Sequence, residues 1–470
     1  MKIHIISLGC PKNLVDSETI AGMLKNDGHE MTQYPAQSDF IVINTCSFIR
    51  KAAGESEKTI KAAAGYGKKT IVCGCLPQSE GEDIRNKFPW VYAFTGVGMH
   101  HLIPQIVNET GENARLIAGT TRSQGHAHLS GHAHSDGQAA SGETAAPVYR
   151  TSSPDYIMSA STPREISTGR SYAYLKISDG CNNRCNYCLI PAIRGRHRSR
   201  PVADVVEEAR RIAGKGVHEI IIVGQDTTAY GRDLNGGKGL LAPLIRKLSQ
   251  IRDVGWIRLL YTHPGHFSDD IIDAMASSEK VCRYVDLPIQ HTRDEILYRM
   301  GRRSLKSWES SPAQRGRPPA RTSFKLIEKL RKKMPGIAIR TTVLVGFPGE
   351  TERTFNSMLG DLKDVSFDWL GCFEYSKQKG TPAAGLPGQV PREEKHRRYA
   401  AVMSLQRGIT ASKNEARIGK TVRVLIDSAK YGHTEFQCPE IDGKFLIAGK
   451  IPGQFVSLKI SGVRRCYDLY

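Results

Sequence analysis

The sequence predicts an α/β protein in three parts: an N-terminal parallel-sheet α/β domain, a central incomplete (βα)6 barrel and a small C-terminal antiparallel β-barrel. Three observations predict it. Strand and helix patterns alternate from residue 2 to about 107, and six further strand–helix units run from 172 to 375. After residue 417 the composition shifts to short β-rich runs punctuated by Gly and Pro. The divisions expected are 1–118, a flexible linker at 119–168, 169–402 for the barrel, and 403–470 for the end of a helix and the last domain.

Composition narrows the class. A chain of 470 residues is long enough for two or three domains with proper cores. No apolar run approaches the roughly 18 residues of a membrane span. The apolar stretch after Met1 is too short for an export signal, with Lys12 and Asp16 close behind, so it reads as a first strand in a cytoplasmic protein. Eleven cysteines in a reducing compartment do not make a disulfide framework, and six of them fall into two groups of three. The net charge of +19 favours a polyanionic partner such as RNA or a ribosome.

In the first part, strands are expected at Lys2–Ser7, Asp39–Asn44, Thr70–Cys73 and Val91–Thr95. Helices are expected at Ser17–Asn26, Phe48–Ala64 and near His101–Val107. Cys10, Cys46 and Cys75 each follow one of the first three strands. In a parallel sheet the carboxyl ends of the strands share one edge, where ligands bind. The three thiols are therefore expected to converge as a metal site one ligand short of four; three buried structural cysteines are the alternative. Cys73 falls inside its strand and reads as core.

The stretch 120–168 is rich in Ser, Gly, Ala and His, including Gly125-His126-Ala127-His128 and Gly131-His132-Ala133-His134. Such composition buries little apolar surface and reads as a mobile linker, with a metal-binding His tract as the other reading. A hinge there would let the first domain's cysteines face the second.

Barrel strands are expected at Tyr172–Ser178, Glu219–Val223, Trp256–Tyr261, Tyr284–Leu287, Ala338–Val345 and Asp368–Tyr375. The clearest helices are Val202–Ala213, Leu240–Ile251, Asp269–Ala276 and Glu352–Leu362. Barrel chemistry sits at the carboxyl ends of strands. After the first strand comes Cys181-Asn182-Asn183-Arg184-Cys185-Asn186-Tyr187-Cys188. Zinc sites usually bring a second Cys or His pair, and none follows closely. Three soft thiolates suit an iron–sulfur cubane with one iron left open. The other strand ends carry Gly224-Gln225-Asp226, Tyr261-Thr262-His263-Pro264, Pro288-Ile289-Gln290-His291 and Gly346-Phe347-Pro348-Gly349-Glu350. Glycine lets backbone approach a ligand, and Gln, Asp and His can hold a ribose or an amino group. Gly195–Arg200 reads equally as a solvated basic turn or as a contact for anionic groups. Ser304–Thr322 is basic and Pro-rich and reads as a mobile surface insertion.

The last part opens with a long charged helix over Pro391–Arg417. Strands follow at Thr421–Ile426, Phe445–Ile447, Phe455–Ile460 and Arg465–Leu469, with a turn at Tyr431-Gly432. A small barrel of this kind often binds nucleic acid or a ribosomal surface.

The spacing of Cys181, Cys185 and Cys188, with an aromatic residue before the last, resembles the radical S-adenosylmethionine (SAM) superfamily. The resemblance implies that the open iron chelates SAM and that an electron cleaves it to a 5′-deoxyadenosyl radical. Tyr187 would lie against the adenine, and Gly224, Gln225, Asp226, Gln290 and Gly346 would form the cradle. Over nearly the whole chain the order of parts resembles the methylthiotransferases: a cluster domain, a radical SAM barrel and a TRAM domain. Ser7-Leu8-Gly9-Cys10-Pro11-Lys12-Asn13-Leu14-Val15-Asp16-Ser17-Glu18 is similar to the branch that modifies an aspartate of small-subunit ribosomal protein S-twelve. Met300-Gly301-Arg302-Arg303, Val345–Thr351 and Pro439-Glu440-Ile441-Asp442-Gly443 are further stretches of that kind.

That resemblance implies two [4Fe-4S] clusters, one on Cys181, Cys185 and Cys188 and an auxiliary one on Cys10, Cys46 and Cys75. One SAM would give a methyl group and another the radical that takes hydrogen from the aspartate β-carbon. Expected partners are protein S-twelve or the small ribosomal subunit, an electron donor such as flavodoxin or ferredoxin, and a sulfur source, with no membrane. A tRNA methylthiotransferase acting on a modified adenosine beside the anticodon is the second reading. A non-catalytic iron–sulfur RNA-binding protein is the third. Cys282, Cys372, Cys438 and Cys466 have no assigned role and read as structural.

Overall fold

The computed structural model describes residues 1–109, 148–151, 154–302 and 319–470. The two His-rich pairs and most of the Ser304–Thr322 stretch lie outside the described residues. The chain forms two compact units. The first holds the N-terminal sheet, and the second holds the barrel together with the C-terminal domain.

The N-terminal sheet comprises β1 (Lys2–Ser7), β2 (Glu30–Met31), β3 (Phe40–Thr45), β4 (Lys69–Gly74), β5 (Ala93–Thr95) and β6 (Val148–Arg150). All its pairs are parallel, in the order β2-β1-β3-β4-β5-β6. Helices cover both faces, so the central strand β3 is buried at every position. Separate apolar clusters fill the two faces, one around Val42 and Ile71 and the other around Ile43 and Val72. Cys73 lies inside β4 and is 1% exposed, and burial pushes its thiol far up.

Three features of this unit differ from expectation. The first helix begins at Pro11, not Ser17, because proline at the first helical position costs no hydrogen bond and presets φ. A short helix begins at Cys75 itself. The stretch 119–168 is not a linker throughout: Val148–Arg150 pairs with β5, and Arg164 donates to buried Glu18 at 2.6 Å.

The barrel strands are β7 (Tyr172–Lys176), β10 (Glu219–Val223), β11 (Trp256–Leu259), β12 (Val281–Asp286), β13 (Ala338–Val345) and β14 (Trp369–Glu374). Between the first two lies a ribbon of β8 (Ser178–Asp179) and β9 (Arg198–Ser199). The six barrel strands pair in parallel in the order β14-β13-β12-β11-β10-β7, with β14 and β7 as unjoined edges. This is the expected incomplete barrel. Residues from Pro319 onward form a helix, Pro319–Lys333, so the end of the supposed insertion is regular structure.

The C-terminal sheet comprises β15 (Thr421–Ser428), β16 (Tyr431–Thr434), β17 (Phe445–Leu446), β18 (Phe455–Lys459), β19 (Val463–Arg464) and β20 (Asp468–Leu469). It is not wholly antiparallel, since β17 pairs with β20 in parallel. Tyr431 and Gly432 start a strand instead of forming the turn.

Residues 434–442 of this domain close the amino-terminal end of the barrel. Arg258 donates to the carbonyls of Glu435 and Thr434, at 2.7 and 3.2 Å. Trp369 Nε1 donates to the Phe436 carbonyl at 2.7 Å. Tyr284 and Arg340 both reach the Asp442 carboxylate, at 2.8 and 2.6 Å. Every donor comes from inside a barrel strand, so the opposite end is the one left for chemistry.

His433 sits in this junction between Glu219 and Asp427, at 2.5 and 2.9 Å. Burial alone would lower its pKa, but the two carboxylates outweigh it and lift it to about 9. A raised histidine stabilises the fold fully below its unfolded pKa, near 6.5. That stability is lost as pH rises through 9. The loss should approach about 3 kcal/mol. Urea midpoints should fall between pH 6.5 and 9 in the native protein, and His433→Gln should flatten the slope. An unchanged slope in the variant would contradict the assignment.

Candidate functional site

In the first unit, Cys10, Cys46 and Cys75 follow β1, β3 and β4, which are adjacent and parallel. The structure thus places all three at one sheet edge. Gly9 shows how closely the loops approach: a Cβ there would lie 2.5 Å from Cys46 Cβ and 2.9 Å from its Sγ. Its φ of +92° also suits only glycine. Asn13 ties the loops together, its Nδ2 donating to the carbonyls of Leu8 and Thr45 at 3.0 and 2.8 Å. The Cys75 thiol points at Asn13 Oδ1, 3.9 Å away. Ser56 brackets Cys46, accepting from its N–H and donating to its carbonyl. Cys46 and Cys75 are buried and Cys10 is half-buried.

In the second unit, the Cys181–Cys188 loop follows β7 and β8 at the carboxyl end of the barrel. All three cysteines are half-buried. Two backbone amides point at sulfur, Asn183 N–H to Cys181 and Ile190 N–H to Cys188, both at 3.4 Å. Burial and nearby acidic groups push the Cys181 thiol up to about 12, and burial with Cys185 does the same for Cys188. Thiols so crowded ionise readily only with a cation among them, which is what iron supplies. Soft donors, amides aimed at sulfur and partial burial fit a cluster.

The loop is braced at its base. Asp179 accepts from Arg194, Lys176, the Gly180 N–H and Gln225 Nε2. Burial opposes its ionisation, yet Arg194 and Lys176 hold its carboxyl well below the usual range. Asp226 accepts from Asn183 Nδ2 at 2.7 Å and lies 2.6 Å from His266 Nδ1. Burial likewise fails to keep Asp226 protonated against His266 and His263. Asp226 therefore joins the cysteine loop to the ends of β10 and β11.

Gln225 leaves its buried Oε1 without a partner while its Nε2 holds Asp179. Gln290 takes a φ of +68°, and its backbone bonds to Thr342 and Leu344 at 2.8 Å each, so β13 fixes it. The space a Cβ would fill at Gly224 belongs to Ser178 Oγ, 2.6 Å away. At Gly346 it belongs to the Lys395 side chain, 2.2 Å away. Both glycines thus serve close approach within the chain. Tyr187 packs edge-on against Phe347, with ring centres 6.4 Å apart. In the Gly195–Arg200 stretch, Arg200 is wholly buried and paired with Asp204 and Glu208, whereas Arg196 is exposed. The basic turn is therefore partly structural.

Sequence reasoning missed Asp179, Arg194 and His266, and it quoted Asn183 and Arg302 only within motifs, without a role. The first two could have been found as a charge pair bracketing the cysteine motif. Arg302 lies over a hundred residues away; its stretch Met300–Arg303 marked the resemblance, but nothing in it pointed to the cysteine loop.

Comparison with known proteins defines the class. Residues 2–96 match the uncharacterized protein family UPF0004, 175–362 the Radical SAM superfamily, and 418–470 the TRAM domain. The fold resembles the radical S-adenosylmethionine methyltransferase TsrM of Kitasatospora setae. That likeness has a TM-score of 0.53 at 16% identity, over 81% of this chain and 76% of that one. Residues 175–362 thus form a domain of the Radical SAM superfamily. A ribosomal protein uS12 methylthiotransferase RimO of Pelotomaculum thermopropionicum is 39% identical over 100% of this chain and 98% of its own length. Those of Heliobacterium modesticaldum and Acetivibrio thermocellus are also 39% identical, over 94% and 97% of their lengths. The chain belongs to the ribosomal protein uS12 methylthiotransferase RimO family.

Proposed function

We propose that this chain transfers a methylthio group to the β-carbon of an aspartate in ribosomal protein uS12, with each cysteine triad holding its own cluster. The observation that carries the reading is 39% identity, along the whole of this chain, to proteins of that name. Cys181, Cys185 and Cys188 would hold the SAM-binding [4Fe-4S] cluster. Cys10, Cys46 and Cys75 would hold an auxiliary one. When bound, the clusters and SAM supply the electron, the hydrogen-abstracting radical, the sulfur and the methyl group, none of which a side chain can supply.

The chain's own residues position these groups. Asp179 and Asp226 fix the cysteine loop, and a cradle would draw on Tyr187, Gln225, Asp226 and Gln290, with Gly224 and Gly346 shaping it. The net charge of +19 suits a target within a ribosome, and a flavodoxin- or ferredoxin-type donor and a sulfur source complete the cycle. Among the described residues no helix is long and apolar enough to cross a membrane, and we place the reaction in the cytoplasm. We retain 1–118, 119–168, 169–402 and 403–470 as functional divisions, the second with the ordered pieces noted above. The tRNA reading is not favoured, since the Pro11-Lys12-Asn13 stretch and the full-length relatives point to the protein substrate.

The test is anaerobic. The protein is reconstituted with iron and sulfide and given reductant, SAM, and either uS12 or unmodified tRNA. A methylthio group on uS12 is the expected mass-spectrometric result; a methylthio group on tRNA alone would overturn it.

A further inference from the structure

Arg302 is a guanidinium only 8% exposed, at the end of the segment that follows the helix Asp294–Arg299. Its Nη2 donates to the Pro288 carbonyl at 2.6 Å. Its other contacts are the Cys185 sulfur and the Tyr187 hydroxyl, and it also acts on the charge of Cys188. Besides burial, the groups that act most strongly on its charge are those same two side chains. A buried cation is costly unless negative charge stands near it.

The segment is seated on the cysteine loop. Asn186 N–H donates to the Met300 carbonyl at 2.9 Å, and Asn186 Nδ2 to the Arg299 carbonyl at 2.8 Å. Gly301 has a φ of +72°, and a Cβ there would lie 2.4 Å from the Arg184 carbonyl oxygen. No other residue would let the segment lie so close, and that closeness aims Arg302 at Cys185.

We propose that Arg302 is a positioning residue that acts through Cys185 to raise the reduction potential of the SAM-binding cluster. The inference rests on the assignment of Cys181, Cys185 and Cys188 as ligands. A cubane bound by three thiolates is anionic, and it gains a further negative charge when a one-electron carrier reduces it. A fixed cation donating to one of its sulfurs stabilises the reduced form more than the oxidised one. The cluster would in turn place negative charge beside the buried guanidinium.

The experiment uses the full chain carrying Cys10→Ala, Cys46→Ala and Cys75→Ala, so that a single cluster is read. Arg302, Arg302→Lys and Arg302→Met forms are loaded anaerobically and checked for iron. Each is then titrated with dithionite and redox mediators by electron paramagnetic resonance. Arg302→Met should show about tenfold less reduced cluster at a fixed potential, a fall of about 59 mV. Arg302→Lys, which keeps the charge, should stay nearer the parent. SAM cleavage by Arg302→Met should fail with a weak reductant and recover with a strong one. A parent-like potential in Arg302→Met overturns the proposal, and so does failure of that variant to load iron, which would make Arg302 a prop for the loop. If the parent form itself binds no iron, the ligand assignment falls, and the inference with it.

Discussion

Cys185→Ala is expected to abolish reductive cleavage of SAM, by at least about a thousandfold, or about 4 kcal/mol of barrier. Two thiolates do not hold a site-differentiated cubane, and Cys185 also takes the contact from Arg302. The fold should survive, because Cys185 is half-buried and the loop is anchored elsewhere, through Asp179 and Asp226. The check is 5′-deoxyadenosine released by the variant, beside its iron content and melting curve. Cleavage at the native rate would remove the Cys181 triad from the chemistry.

Cys46→Ala is expected to separate the two clusters. Methylthio transfer should be lost while SAM cleavage continues within a few-fold of native. Cys46 is 8% exposed with Gly9 against it, so the loss of one sulfur should cost about 1 kcal/mol of stability, the ordinary scale of a single substitution. The variant should retain about half the iron of the native protein. Transfer at the native rate would show that the N-terminal triad is structural.

Much of this was legible in the sequence because parallel α/β architecture converts strand order into geometry. Cys10, Cys46 and Cys75 are far apart in the chain, but each follows a strand, and a parallel sheet aligns such positions on one edge. The same rule located the Cys181 loop and the strand ends that carry Asp226 and Gln290. Short elements were not legible. Glu30–Met31 and Val148–Arg150 have two and three residues, too few for any periodicity to register. Tyr431-Gly432 resembles turn chemistry, yet Gly432 is chosen for space: a Cβ there would meet the Leu425 carbonyl oxygen at 2.3 Å. Cross-chain partners were hidden for a different reason. Asp442 and Arg340, or Arg302 and Cys185, meet only in the tertiary fold, and single residues carry no sign of it. The glycines at 224 and 346 were visible, but whether ligand or chain fills the space beside them was not.

The most direct test of the central claim uses uS12 deuterated at the β-carbon of the target aspartate. The native protein, loaded and reduced, is given this substrate and SAM, and the 5′-deoxyadenosine is analysed by mass spectrometry. The account predicts deuterium in that product together with a methylthio group on the same aspartate. Cleavage of SAM and modification of uS12 with no deuterium in the 5′-deoxyadenosine would contradict it.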